Sequence, residues 1–323
     1  MPSHLVLDET TLPHRTAILG PPSNSWTHSS KTGFNLTRSI TPPENALILQ
    51  TTTSSITIDP AKSALIIIDM QNFFLSPAFG RKRGGGHDAL DQLVEYAIPA
   101  ARKAGIRIVW VNWGLTPKDV EEMPPAVSRA FGFEAIIDGN ETQKVAVDKH
   151  GNPRHVGGDV LLENGNGGVV FRGLGSSCGT IMTPEAEKVD AGGLLMKDSW
   201  NAALYPPLDS IYLQGSKLPH NPDILIPKNR MSGLWASSTP LEFFLEKEGI
   251  KTLFMTGVNT DQCVGGTFMD AFSKGYDCVL LKDGAATTSP GFAQECFEYN
   301  AANTFGFACS CEEFARGVGV RGS

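Results

Sequence analysis

The sequence predicts an α/β protein, a three-layer α/β sandwich. Three observations carry this. Short apolar runs at 64–68, 106–111, 224–227, 253–256 and 278–281 are too brief for helices and read as buried strands. Between them lie longer stretches with helical apolar spacing, so strands alternate with helices. Two of the runs end in a charged residue, Asp69 after Ile66-Ile67-Ile68 and Lys228 after Ile224-Leu225-Ile226-Pro227. In an open parallel sheet, ligands bind outside the carboxyl ends of the strands.

The elements follow in chain order. Residues 1–55 are rich in Thr, Ser and Pro and have little helical periodicity. Trp26 and Phe34-Asn35-Leu36 give short strand-like patches, so this segment reads as an N-terminal extension packed on the core; a loose tail is the alternative. The α/β core is expected over 56–323. After strand 64–69 comes Gly84-Gly85-Gly86, then a helix from about His87 to Lys103. Leu90, Leu93, Val94 and Ala97 form its apolar face, Pro99 is a kink point, and Gly105 is its stop. Residues 106–112 form the next strand. A long insertion then occupies about 115–195. Its glycines, among them Gly165, Gly167, Gly168, Gly173 and Gly175, predict loops and a hairpin. Loops of this length are usually lids or binding elements; an oligomer contact is the competing role. Later come helix 239–248 with Pro240 at its first position, strand 278–282, helix 291–303 and a short helix 311–316.

The segment 252–264, TLFMTGVNTDQCV, is the most informative. A buried strand meets a tight connection, and Thr260 is placed to N-cap a helix that stops at Gly275. Cys263 then lies in the first turn, where unsatisfied N–H groups and the positive end of the helix dipole favour a thiolate. The same N–H groups suit an oxyanion formed when that thiolate attacks a carbonyl. Asp69 and Lys228 fall on the same sheet edge. A carboxylate there can take the thiol proton, and a lysine behind an apolar strand calls for an anionic partner. Cys178, in Gly-Ser-Ser-Cys-Gly, is a rival without a strand–turn–helix setting. The pair Cys309 and Cys311 reads as packing.

Composition narrows the function. The chain has 323 residues, 41% hydrophobic and 19% charged, a balance that supports a sizeable core. Its net charge of −7, with 27 basic against 34 acidic residues, argues against a nucleic-acid partner. No secretory signal and no run of 18 apolar residues is present, so a cytoplasmic protein without membrane attachment is expected. The six cysteines form no C-x-x-C pair, and the seven histidines show no metal-ligand spacing.

Three stretches, IIIDMQNFF (66–74), PKNRMSGLWASSTPLEFFLEKEGIKTLFMTGVNTDQCVGGTFMDAF (227–272) and GYDCVLLKDGAA (275–286), resemble the isochorismatase-like cysteine hydrolase superfamily. The order Asp, Lys, Cys is that family's triad order. The resemblance implies a six-stranded, mainly parallel sheet, with Cys263 as nucleophile, Asp69 as base and Lys228 as the cation that stabilises the thiolate. It also implies a cis peptide at Val258–Asn259, an oxyanion hole from the backbone N–H groups of Asn259 and Cys263, and a dimer or tetramer. Two departures matter. Nicotinamidases of this family place Asp-x-His after the second strand to hold a metal; here the stretch is Asn112-Trp113-Gly114, so no metal and no cofactor is expected. Many relatives carry a second Asp where this chain has Phe73, which makes the site mouth more apolar. Gln71, Phe73, Phe74, Asn112, Trp113, Trp200, Trp235 and Phe268 are the candidates to bind substrate, and an uncharged or aromatic small molecule suits them. MKDSWNAALYPPL (196–208) and PDILIPKNRMSGLW (222–235) resemble the amide and ureide hydrolase branch. The expectation is a metal-independent cysteine hydrolase that cleaves a C–N bond of an amide, lactam, imide or ureide through a thioester. An isochorismatase-type vinyl ether hydrolase, or a catalytically silent binding member of the fold, remains the alternative.

Overall fold

A computed structural model describes residues 13–152 and 172–320. Gly165, Gly167 and Gly168 lie outside these residues, as does the start of the chain. The central sheet has six strands, all parallel: in spatial order Ile224–Lys228, Arg107–Trp113, Ser63–Ile68, Thr252–Val258, Asp277–Ala286 and Phe307–Cys309. Helices cover both faces, which is why the strands read as continuous apolar runs. Along the central strand the alternation is explicit. Ala64, Ile66 and Ile68 enter one apolar core with Phe73, Trp113 and Cys263. Leu65 and Ile67 enter the other with Trp110, Phe254 and Phe314.

Strand order reverses beside Ser63–Ile68. The chain first builds outward through Arg107–Trp113 to Ile224–Lys228, then returns to add Thr252–Val258 on the other side. The crevice at such a switch point is where α/β sheets hold ligands, and Asp69 and Cys263 follow its two bordering strands.

The helix expected from His87 runs from Gly85 to Ala104 in three pieces, Gly85–Gln92, a widened turn Leu93–Ala97, and Ile98–Ala104. Pro99 lacks an N–H and crowds the preceding turn. The widened turn, where the Ile98 N–H reaches back to Leu93 O, absorbs it without ending the helix. The C-terminal helix, Cys311–Val318, begins at a Ser310–Glu313 capping box.

Residues 16–58 form a separate five-stranded sheet laid on the core. Trp26 and Phe34 pack on Phe307 at 5.9 and 5.7 Å between ring centroids. Trp26 Nε1 donates to Asp277 and the Thr52 N–H donates to Ala308 O, which ties this sheet to the amino edge of the central one.

The insertion starts and ends at one place. Leu115 N–H donates to Leu195 O and Lys197 N–H donates to Leu115 O. Its described part holds two short helices, Pro117–Glu121 and Pro125–Ala130, and two hairpins, Phe133–Ile137 with Asn140–Val147 and Thr180–Met182 with Lys188–Asp190. The sequence reading expected loops and a hairpin. It did not anticipate that Cys178, Ile181, Ala191, Leu194 and Leu195 are buried in the core that holds Cys263. Asn201 secures this return: its Nδ2 donates to Ala191 O and Gly193 O, and its Oδ1 accepts from the Leu195 N–H.

Candidate active site

Asp69 leaves the central strand with φ +55, a left-handed conformation that costs a non-glycine residue energy. Its neighbours hold it there. The Asp69 N–H donates to Val111 O at 3.0 Å, and the Gln71 N–H donates to Asp69 O at 2.8 Å. On the adjoining strand Gly257 has φ +107, and a Cβ there would meet Ile68 O at 2.0 Å. Only glycine allows that approach. The strand register shifts here, the Val258–Asn259 peptide is cis, and the chain enters the turn Thr260–Val264 and the helix Gly265–Lys274. Gly275, at φ +87, stops that helix. The expected cap differs. Asn259, not Thr260, stands at the cap position, and the first turn is wound wide, with the Val264 N–H reaching Asn259 O. Thr260 is buried, and its hydroxyl has no partner among the described residues.

Asp69, Lys228 and Cys263 come together and are all buried. Lys228 Nζ lies 2.9 Å from Asp69 Oδ2 and donates to Arg230 O at 3.1 Å. A carboxylate oxygen has two acceptor positions, so Oδ2 keeps one for the Cys263 thiol beside the Lys228 ion pair. Oδ1 accepts from the Trp113 N–H at 3.0 Å. The Cys263 thiol is within hydrogen-bonding reach of Asp69, and its sulfur lies 3.5 Å from Met231 Sδ. Burial raises the Asp69 carboxyl above the usual range, while Lys228 and the donors around it pull it down. Burial pushes the Cys263 thiol up to about 12, with Lys228 opposing and Asp69 adding to the rise. Burial thus works against the thiolate that the helix terminus favours. The sulfur rests as a thiol beside a carboxylate that can remove its proton. Cys178 is also pushed up to about 12 by burial, with the Asp190 carboxylate adding to the rise.

The substrate-binding candidates divide. Trp113 is at the centre: Lys228 Nζ lies 4.0 Å from its ring centroid, and Phe131 of the insertion meets it edge-on at 5.1 Å. Phe73, Phe74, Phe79 and Trp200 form an aromatic group in the same apolar body, with Phe73 4.9 Å from Phe74 and Phe79 5.8 Å from Trp200. Trp235 is half exposed, with the Arg230 guanidinium 4.8 Å above its ring. Two expectations need correction. Gln71 is framework: its Nε2 donates to Trp113 O and Ala202 O, and its Oε1 accepts from the Trp113 N–H, which uses its hydrogen-bonding capacity internally. Phe268 is fully buried edge-on against Phe297 and is plain core. Asn112, by strand alternation, lies on the face of Ile108 and Trp110, and its buried amide N and O have no partner among the described residues. Sequence reading also missed Met231 against the sulfur and Phe131 against Trp113; neither carries a signal beyond being apolar.

The stretch Asn112-Trp113-Gly114 offers one amide and neither carboxylate nor imidazole, a poor donor set for a transition metal. Among the described residues, no three His, Cys, Asp or Glu side chains gather as a metal site. No described helix is long and apolar enough to cross a membrane.

An Isochorismatase domain family model matches residues 183–313, which include Lys228 and Cys263. Among solved structures, a cysteine hydrolase from Pseudomonas syringae pv. phaseolicola 1448A is similar at 16% identity and TM-score 0.51, covering 87% of this chain and 99% of that one. A nicotinamidase from Bacillus subtilis aligns at 18% identity and TM-score 0.49, covering 77% and 99%. An isochorismatase-like hydrolase from Alkaliphilus metalliredigens aligns at 18% and 0.47, covering 79% and 98%. At these identities the likeness is one of fold. Residues 183–313 thus match an isochorismatase domain, and the six-stranded parallel sheet flanked by helices is the isochorismatase-like α/β fold.

Proposed function

We propose that the protein is a cysteine hydrolase that cleaves a C–N bond of an amide, lactam, imide or ureide. One observation carries the reading: a buried thiol faces a carboxylate whose Oδ2 keeps an open acceptor position, with a lysine holding that carboxylate in place. The chemistry follows from the resting protonation. Asp69 takes the S–H proton as sulfur attacks the carbonyl carbon, and Lys228 offsets the negative charge that moves onto sulfur. The oxyanion falls to the N–H groups of Asn259 and Cys263. Asp69 returns the proton to the leaving nitrogen as the C–N bond breaks, leaving a thioester. Asp69 then deprotonates water for attack on the thioester, and its proton restores the thiol. The aromatic group around Phe73 and Trp200 favours an uncharged, planar substrate.

The test is a panel of amides, lactams, cyclic imides and ureides, with isochorismate included, read by ammonia or acid release. Turnover of one C–N substrate by the native protein, and none by Cys263→Ala, is the expected result. Turnover of isochorismate alone, or an active Cys263→Ala protein, overturns the reading.

A further inference from the structure

The indole N–H of Trp113 is buried and has no hydrogen-bond partner among the described residues. A buried donor left unpaired is costly, and such groups persist where a partner arrives during function. The surroundings of Trp113 say what that partner is. Its backbone N–H holds Asp69 Oδ1 at 3.0 Å. The face of its ring lies under Lys228 Nζ at 4.0 Å. Its side chain shares the apolar core with Cys263. Trp113 therefore touches the base and the cation, and its indole N–H is within hydrogen-bonding reach of the Cys263 sulfur.

We propose that the Trp113 indole N–H is a catalytic hydrogen-bond donor that receives the Cys263 thiolate when Asp69 removes the thiol proton. This rests on the cysteine-hydrolase reading above. A neutral thiol is a weak acceptor, so the donor is at most weakly engaged at rest. A thiolate is a strong one, so the bond forms as charge appears and stabilises the attacking state over the resting state. Consistent with this, an indole hydrogen bond is among the influences that lower the Cys263 pKa against the larger effect of burial. Lys228 above the ring and the N–H at its edge then place a cation and a donor around one sulfur. The stretch Asn112-Trp113-Gly114 thus serves the nucleophile rather than a metal.

The test is Trp113→Phe, which keeps an aromatic face for Lys228 and the backbone N–H for Asp69 but removes the indole donor. Iodoacetamide labelling of Cys263 is followed by peptide mass spectrometry over pH 7 to 10, with exposed Cys296 as internal reference. Loss of the donor should displace the Cys263 profile by about one pH unit, a tenfold slower reaction at each pH, with Cys296 unchanged. The value of kcat should fall by a similar factor while KM stays within about twofold, because the bond is at most weak in the ground state. Should Trp113→Phe fail to fold, 3-benzothienylalanine at position 113 replaces N–H by sulfur at nearly the same shape. A Cys263 profile that overlays the native one in a folded variant overturns the proposal. Turnover by Cys263→Ala would instead remove the hydrolase reading beneath it, so the two failures are told apart.

Discussion

Asp69 and Asp277 sit at opposite edges of the same parallel sheet, each buried and each paired with a cation. Their surroundings differ. At the amino edge Asp277 accepts both terminal nitrogens of Arg38, the Trp26 Nε1–H at 2.9 Å and the Thr252 hydroxyl at 3.0 Å. Both of its oxygens are bonded, by donors from two sheets. At the carboxyl edge Asp69 accepts one backbone N–H, pairs with Lys228, and keeps an acceptor position on Oδ2 available to a thiol. A fully bonded buried network fixes one arrangement, whereas a partly bonded one holds capacity in reserve. The first clamps residues 16–58 to the core; the second is poised to accept a proton.

The largest expected break between the two is in turnover. Asp69→Asn should lower kcat by about 10²-fold or more, because an amide cannot take the thiol proton. Asp277→Asn should leave kcat within a few-fold, since its edge lies across the sheet from the sulfur. Steady-state kinetics on one substrate checks both. Equal losses would erase the distinction.

Stability should show the reverse order. Arg38→Ala leaves the Asp277 carboxylate buried without its cation, a change that typically costs about 3 kcal/mol or more. Asp69→Asn also leaves buried Lys228 without its anion, but asparagine keeps the side chain's shape and the Trp113 N–H bond, whereas Arg38→Ala removes the whole guanidinium, so the Asp69 loss should be the smaller. Urea unfolding midpoints at constant m compare them. A larger midpoint shift for Asp69→Asn than for Arg38→Ala would contradict the reading of the two edges.

How much of each edge was legible in the sequence follows from the same physics. Asp69 and Lys228 stand directly after apolar runs and Cys263 in the first helical turn beyond one, and strand ends are countable from sequence. Asp277 also borders a strand, but its partner Arg38 is remote in sequence and belongs to a segment that reads as a Thr- and Ser-rich extension. Ion pairs between distant segments leave no local period. Gln71 was misplaced because a buried glutamine bonded to backbone looks, in sequence, like a polar residue beside a site. The insertion was read from its glycines, which report backbone freedom; the burial of Ile181 and Leu194 depends on where the hairpins land.

The reaction of the sulfur with pH sharpens the carboxyl edge. Burial pushes the Cys263 thiol up to about 12, so it is protonated throughout the neutral range. Below that pKa the thiolate fraction grows about tenfold per pH unit. The alkylation rate of the ligand-free protein should therefore climb steadily from pH 7 to 10. A rate that is already flat at pH 7 would mean a standing thiolate and would return the helix terminus to the role the sequence assigned it.

The smallest effect belongs to the rim. Trp235 is half exposed, its Nε1 donates to Asn229 at 3.1 Å, and Arg230 covers its ring. Asn229 in turn donates to Asp119 of the insertion at 2.6 Å, so this group joins the strand end at Lys228 to the insertion helix Pro117–Glu121. A cation over an exposed aromatic ring contributes on the order of 0.5–1 kcal/mol. Trp235→Ala should accordingly raise KM by roughly two- to fivefold through looser placement of Arg230 and Asn229, with kcat nearly unchanged, because neither group reaches the sulfur. A fall in kcat comparable to that of Asp69→Asn would show that the rim sets the position of Lys228 through the Arg230 carbonyl that its Nζ binds. The boundary between the two edges of the sheet would then have to be redrawn to place Trp235 inside the reacting group.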